Sequence, residues 1–317
     1  VNKAARLREL LAQPGPVLCP GVYDCVSAKL AERAGFSTAA VSGAALTASM
    51  LGYPDVGLQS FSEVLNQVRN IARSVEIPMT VDADTGYGNA LNVMRATREF
   101  ESAGLAGVCY EDQTFPKRCG HFEGKKVVPV EEMVVKIKAA CEARRSDDFL
   151  IIARSDARAV HGLEDAIVRA LAYREAGADM IFLDALTSIE DLKEVARRVP
   201  GLLKVTVQEG GKTPVLPYQE LYDMGYKLIS YSSLLQRAQI KAGLDALEVL
   251  KREGTTLSIY PERICDHIAR SELLEMARFY ELEERLYGPL LDTESSQRQE
   301  LRSRSESPAT RNENIPI

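Results

Sequence analysis

Histidine is scarce in this chain, with three residues in 317, and that scarcity argues against a His-rich zinc centre. Cysteine occurs six times, at Cys19, Cys25, Cys109, Cys119, Cys141 and Cys265, but never as a CxxC pair. A chain this long does not need disulfide staples, so the thiols read as reduced and the expected compartment is the cytoplasm. No apolar stretch is long enough to span a bilayer, and the first residues carry no secretory apolar region. Excess basic charge is missing as well. The formal net charge is −6 and no basic run is interleaved with aromatics, which excludes an extended nucleic-acid-binding face. The expected partner is a small molecule, with neither nucleic acid nor membrane.

What the chain does contain is ordinary core material, 45% hydrophobic and 26% charged residues, arranged in a repeat. Short apolar runs recur at 17–20, 38–42, 79–82, 107–111, 149–154, 180–184, 202–207 and 227–231, most of them followed by an amphipathic helical pattern. Four of these patterns stop at Ala34-Gly35, Ala103-Gly104, Ala176-Gly177 and Met224-Gly225, the expected helix terminator. Continuous apolar strands alternating with helices mean a parallel sheet covered by helices, and eight repeats predict an α/β fold of the (β/α)₈ TIM-barrel type. A doubly wound open sheet is the alternative. A barrel domain over 1–258 is followed by an apolar helical region over 259–291, whose surface needs a partner subunit to cover it. Residues 292–317 are Ser-, Arg- and Glu-rich without periodicity, and read as a disordered polar tail.

The polar residues concentrate where the runs end. Asp82 and Asp84 close one run and Glu111 closes the next; spacing i, i+2 on a strand places two side chains on one face. Carboxylates gathered at one barrel mouth need a hard dication, and oxygen ligands suit Mg²⁺ with Mn²⁺ as a substitute. Arg154 ends the fifth run and suits a substrate carboxylate, or else an ion pair with one of the acids. Ser42-Gly43-Ala44 offers backbone N–H groups, or else tight strand–helix packing. Lys117-Arg118-Cys119-Gly120-His121 is a basic, glycine-containing loop. It fits closure over an anionic substrate, with Cys119 as proton donor or acceptor. Asp55, beside Pro54, reads from composition alone as a turn former.

Taken together, Ser42-Gly43, Leu51-Gly52-Tyr53-Pro54-Asp55-Val56-Gly57, Val81-Asp82-Ala83-Asp84-Thr85-Gly86-Tyr87-Gly88-Asn89, Glu111-Asp112-Gln113, Lys117-Arg118-Cys119-Gly120-His121, Ala153-Arg154-Ser155-Asp156-Ala157 and Glu209-Gly210-Gly211-Lys212-Thr213-Pro214 make the chain resemble the isocitrate lyase/phosphoenolpyruvate mutase superfamily over most of its length. The resemblance implies a Mg²⁺-dependent barrel acting on small 2-oxo or 2-hydroxy di- and tricarboxylates, assembled as a homotetramer with exchanged C-terminal helices. It implies that Asp84 contacts the metal directly and that Asp82, Asp55 and Glu111 hold it largely through water. Ser42, Gly43, Ala44, Arg154, Thr206, Gly120 and Ser232 would bind substrate. Cys119, Arg118, His121 and Asp184 would serve the chemistry.

Three departures from the superfamily pattern stand out. Asp184-Ala185 replaces the usual Glu-Ala, Thr206 replaces an Asn, and Tyr231-Ser232-Ser233-Leu234 replaces Tyr-Pro-Leu-Ser. The leading expectation is C–C bond cleavage through a metal-stabilised enolate, as an oxaloacetate hydrolase or an alkylmalate or methylisocitrate lyase. The alternatives are a carboxyphosphonoenolpyruvate-type phosphonomutase and a non-catalytic carboxylate-binding descendant.

Overall fold

The computed structural model describes residues 2–118, 120 and 124–288. The chain divides into two compact units after Gly254, not after residue 258, because the preceding helix stops there on a left-handed glycine. The expected polar tail lies outside the described residues.

The first unit runs α1 (Lys3–Ala12), β1 (Val17–Val22), α2 (Cys25–Arg33), β2 (Ala39–Val41), α3 (Gly43–Leu51), α4 (Phe61–Arg73), β3 (Met79–Asp82), α5 (Ala90–Ser102) and β4 (Gly107–Glu111). It continues with α6 (Val130–Ala143), β5 (Leu150–Ser155), α7 (Arg158–His161), α8 (Leu163–Glu175), β6 (Met180–Leu183), α9 (Ile189–Arg198), β7 (Leu202–Thr206), α10 (Tyr218–Met224), β8 (Leu228–Tyr231) and α11 (Leu234–Glu253). The second unit holds a 3₁₀ turn at Leu257–Ile259, α12 (His267–Leu273) and a helix over 276–288.

All eight strands pair in parallel, and β8 closes on β1 with Val17 opposite Leu228. The open-sheet alternative is thereby excluded. The strands are apolar on both faces because both are covered. Outward residues such as Val22, Val41, Val81, Val108, Ile151 and Ile181 meet the helix faces of α4, α5, α6 and α8. Inward residues, among them Cys19, Ala40, Cys109, Ile152 and Phe182, form a separate cluster inside the barrel.

Helix α1 was not anticipated. Its Leu7 and Leu11 join the interior cluster, so they plug the end of the barrel that receives the strands' N-termini. Asn2 caps it, accepting from the amides of Ala4 and Ala5, and Arg8 ties it to Asp179 at 2.8 Å. With that end closed by apolar packing, polar side chains collect at the other. The five described cysteines are free thiols. Among the described residues, no helix is long and apolar enough to cross a membrane.

Candidate active site

One cavity opens at the C-terminal ends of the strands, where barrel enzymes place their chemistry. Alternate residues of β2 to β8 and the segments just beyond line it: Ser42 and Ala44, Asp82 and Asp84, Glu111, Arg154, Asp184, Thr206 and Ser232. Asp55 and Gly120 reach it from longer connections. Eleven expected site residues therefore meet in one place. Gly43 is used within the protein, since its N–H donates to Asp82 Oδ2 at 3.3 Å. Its segment is the first turn of α3, capped by Ser42 Oγ, which accepts from the Ala45 amide. Arg118 is exposed and does not line the cavity; its amide donates to Gln113 Oε1 at 2.9 Å. Cys119 and His121 lie outside the described residues.

The strand reading of Asp82 and Asp84 needs correction. Strand β3 ends at Asp82, and Asp84 sits beyond it at φ 46°, a left-handed conformation that Asp tolerates better than most side chains. The Asp84 carbonyl accepts from the Glu111 amide at 2.9 Å, so the turn stays tied to β4. Both carboxylates face the cavity, but a turn rather than strand periodicity places the second.

Arg154 organises the acids. Its Nε meets Asp156 at 2.8 Å and Glu111 at 3.2 Å, and its Nη2 meets Asp184 at 2.6 Å. The ion-pair alternative for this residue is what the structure shows; of its three guanidinium nitrogens, Nη1 makes no hydrogen bond among the described residues. Burial would push the Asp156 carboxyl up, but Arg154 and Lys125 more than reverse that and hold it at about 2. Glu111 goes the other way. Burial outweighs Arg154 and Lys117 and raises it to about 8, while its Oε1 is buried with no hydrogen-bond partner.

Four residues that carry much of this site were not singled out from the sequence. Lys117 Nζ stands between Asp55 Oδ1 at 2.5 Å and Asp84 Oδ1 at 2.9 Å. Lys125 Nζ bridges Asp156, at 3.0 Å, and the Gly120 carbonyl. Asp156 joins Lys125 to Arg154. Lys204, two residues before Thr206 on β7, also lines the cavity. Burial disfavours its charge, but Asp82 and Cys109 outweigh that and raise its pKa. The available signals were the Arg-x-Asp spacing at 154–156 and a lysine inside an apolar strand pattern.

Behind the cavity, Asp112 accepts from Ser155 Oγ at 2.6 Å, Tyr173 Oη at 2.8 Å, the Asp156 amide at 2.9 Å and Arg169 at 3.3 Å. Glu111, the last residue of β4, and Asp112, just beyond it, thus face opposite ways, the first into the cavity and the second into the packed layer.

The lining carries five carboxyl groups against three cations, a deficit of positive charge that persists even with Glu111 protonated. Oxygen donors, the orphaned Glu111 Oε1 and that deficit fit a hard dication. Among the described residues no three of the acids converge as a ready-made set of direct ligands.

The model of the family described as phosphoenolpyruvate phosphomutase matches residues 7–251. The chain belongs to this family. The 2,3-dimethylmalate lyase of Eubacterium barkeri is 42% identical over 259 residues, covering 82% of this chain and 90% of the relative. A solved oxaloacetate acetylhydrolase bound to 3,3-difluorooxalacetate superposes with a TM-score of 0.83 at 33% identity, covering 89% of this chain and 96% of that one. A phosphonopyruvate hydrolase in complex with oxalate and Mg²⁺ gives 0.81 at 30% identity, covering 90% and 99%. The named relatives of this phosphomutase-family chain are enzymes, lyases and hydrolases among them. Its departures are now placed: Thr206 Oγ1 shares a 2.9 Å hydrogen bond with Ser230 Oγ, and Asp184 is engaged by Arg154.

Replacing Asp156 with Asn leaves two buried cations short of a counter-charge and should cost about 3–5 kcal/mol at neutral pH. Because the folded-state carboxyl lies at about 2 against an ordinary 3.8, its contribution is complete above that ordinary value and disappears as pH falls through the folded one. Urea titrations should show a wild-type-to-variant gap that is constant from pH 7 to 5 and narrows by about 2–3 kcal/mol between about pH 4 and 2. A gap independent of pH would exclude the ionic role.

Proposed function

We propose that this chain is a Mg²⁺-dependent enzyme that cleaves a C–C bond in a small 2-oxo or 2-hydroxy di- or tricarboxylate, as a hydrolase or a lyase. The observation that carries this reading is a carboxylate-rich cavity holding an arginine with one free nitrogen, in a fold whose relatives include a dimethylmalate lyase and an oxaloacetate acetylhydrolase. Asp84, Asp82, Asp55 and Glu111 would hold Mg²⁺ or Mn²⁺, which when bound supplies electrostatic stabilisation of developing negative charge.

Arg154 takes the carboxylate at the 2-oxo or 2-hydroxy end through Nη1, with Ser42 and Ala44 beside it. The Gly120 backbone lies close enough to Asp184 and Arg154 that a Cβ there would overlap both side chains, so this part of the loop excludes water from the reacting end. Cys119, on the same loop between Arg118 and Gly120, is the proton donor to the departing carbanion. In the hydrolase form water adds first to the 2-oxo group; in the lyase form the 2-hydroxyl loses its proton and retro-aldol cleavage follows.

The apolar residues Ile240, Leu244, Leu247 and Leu250 are exposed along α11, as are Ile268, Phe279 and Leu286 in the second unit. They support assembly into a homotetramer with exchanged C-terminal helices. Sedimentation velocity should then give a tetramer, and a monomer across the micromolar range would remove that reading.

Product analysis by NMR is the direct test, with Mg²⁺ and, separately, oxaloacetate, 2-methylisocitrate and 2,3-dimethylmalate. Oxalate plus acetate above the uncatalysed control marks the hydrolase, and a 2-oxo acid released from a hydroxy acid marks the lyase. Silence with all three, together with turnover of a phosphonate, would instead favour the mutase chemistry of the family's description. Cys119→Ser should lower turnover by about 10²-fold or more while oxalate affinity is unchanged; full turnover in that variant would remove the thiol from the mechanism.

A further inference from the structure

Of the cavity's cations, Lys117 is paired with Asp55 and Asp84 and Arg154 with Glu111, Asp156 and Asp184, whereas Lys204 has no role in the reading above. It is 4% exposed, and it comes from the middle of the barrel rather than from the rim. Among the described residues its Nζ makes no hydrogen bond and no ion pair; it lies over the Phe182 ring, 4.7 Å from the centroid. The interior makes room for it, since neighbouring inward positions on β1, β2 and β4 carry only Cys19, Ala40 and Cys109. A buried ammonium with an aromatic face on one side and a cavity on the other keeps its donors for whatever enters that cavity.

Its distance from Arg154 is informative. The Arg154 guanidinium lies 5.4 Å from the same Phe182 centroid, so the two distances bound the separation of the charges at about 10 Å. An extended four-carbon diacid spans about 4 Å between its carboxyl carbons, and a charge-assisted hydrogen bond adds about 3 Å at each end. A diacid with both hydrogen bonds, about 10 Å in all, reaches as far as the greatest separation these distances allow. Thr206 and Ser230 face the same region and hydrogen-bond to each other, which leaves Lys204 as the strongest donor on that side.

We propose that Lys204 determines specificity by receiving a second carboxylate of the substrate, on the fragment opposite the end that Arg154 holds. The assignment rests on the carboxylate-cleaving reading of the site. It makes the preferred substrate a diacid or triacid whose departing portion is itself anionic.

Calorimetric titrations at saturating Mg²⁺ separate the possibilities, using oxalate, which is too short to reach from Arg154 to Lys204, and 3,3-difluorooxaloacetate, which carries its second carboxylate farther out. Lys204→Met should weaken difluorooxaloacetate by about 30-fold, as expected for loss of one charged hydrogen bond, and oxalate by less than about threefold. Lys204→Arg, which keeps the charge, should recover most of the difference between the two ligands. Where Lys204→Met does not fold, Lys204→Gln is read the same way, since the ratio of the two affinities within one variant is insensitive to the folded fraction. Equal losses for both ligands would make Lys204 a counter-ion of Asp82 and overturn the assignment, as would no loss for either. A wild type that binds neither ligand with Mg²⁺ overturns the reading of the whole site and this assignment with it.

Discussion

The site depends on one guanidinium. Three carboxylates, Glu111, Asp156 and Asp184, are buried around Arg154, and without a shared cation their mutual repulsion and desolvation would each oppose folding. Sheet register writes part of this arrangement, because Glu111 and Arg154 are direct partners across the β4–β5 pair. Asp184 follows from the next pair, where its amide donates to the Ser155 carbonyl at 3.0 Å. Closing the barrel is therefore the same event as assembling the charge cluster.

That cluster is stiffened from behind and from above. Asp112 and its donors form a buried polar layer between β4, β5 and α8, and full satisfaction of such a layer favours a single arrangement. Above it, Lys125 ties Asp156 to the Gly120 carbonyl. The Gly120 loop and Arg154 are linked through a single side chain, Asp156. Placement of the loop and placement of Arg154 are thus not independent.

The barrel interior is asymmetric, and that asymmetry gives this family member its own character. Small residues on β1, β2 and β4 face a lysine and a phenylalanine on β7 and β6. Volume absent on one side is filled by a charged chain from the other, and its ammonium lies over the Phe182 ring in the cavity that Thr206 also lines. On β7, Lys204 and Thr206 line the cavity, opposite the acids around Arg154 and Lys117.

Much of this was legible in the amino-acid order. Strand spans came within a residue or two, since a parallel barrel strand buried on both faces is a short continuous apolar run with a glycine stop before it. The helices around the barrel were equally plain where one face is polar. Helices α1 and α3 were missed, the first because its apolar face is read only once there is a barrel end to plug, the second because it is apolar all round. Residues whose function follows from chemical type at a strand end, Glu111, Arg154 and Asp82 among them, could be named directly. Lys117, Lys125, Asp156 and Lys204 could not, because a lysine in a sequence carries no sign of which carboxylates or rings will surround it. Local periodicity determined the elements, and residue type at their ends determined the candidates. Only the packing of strands and loops, which sets Lys117 against Asp55 and Asp84 and Arg154 against Glu111 and Asp184, decided which charges are shared and which ammonium is left facing the cavity.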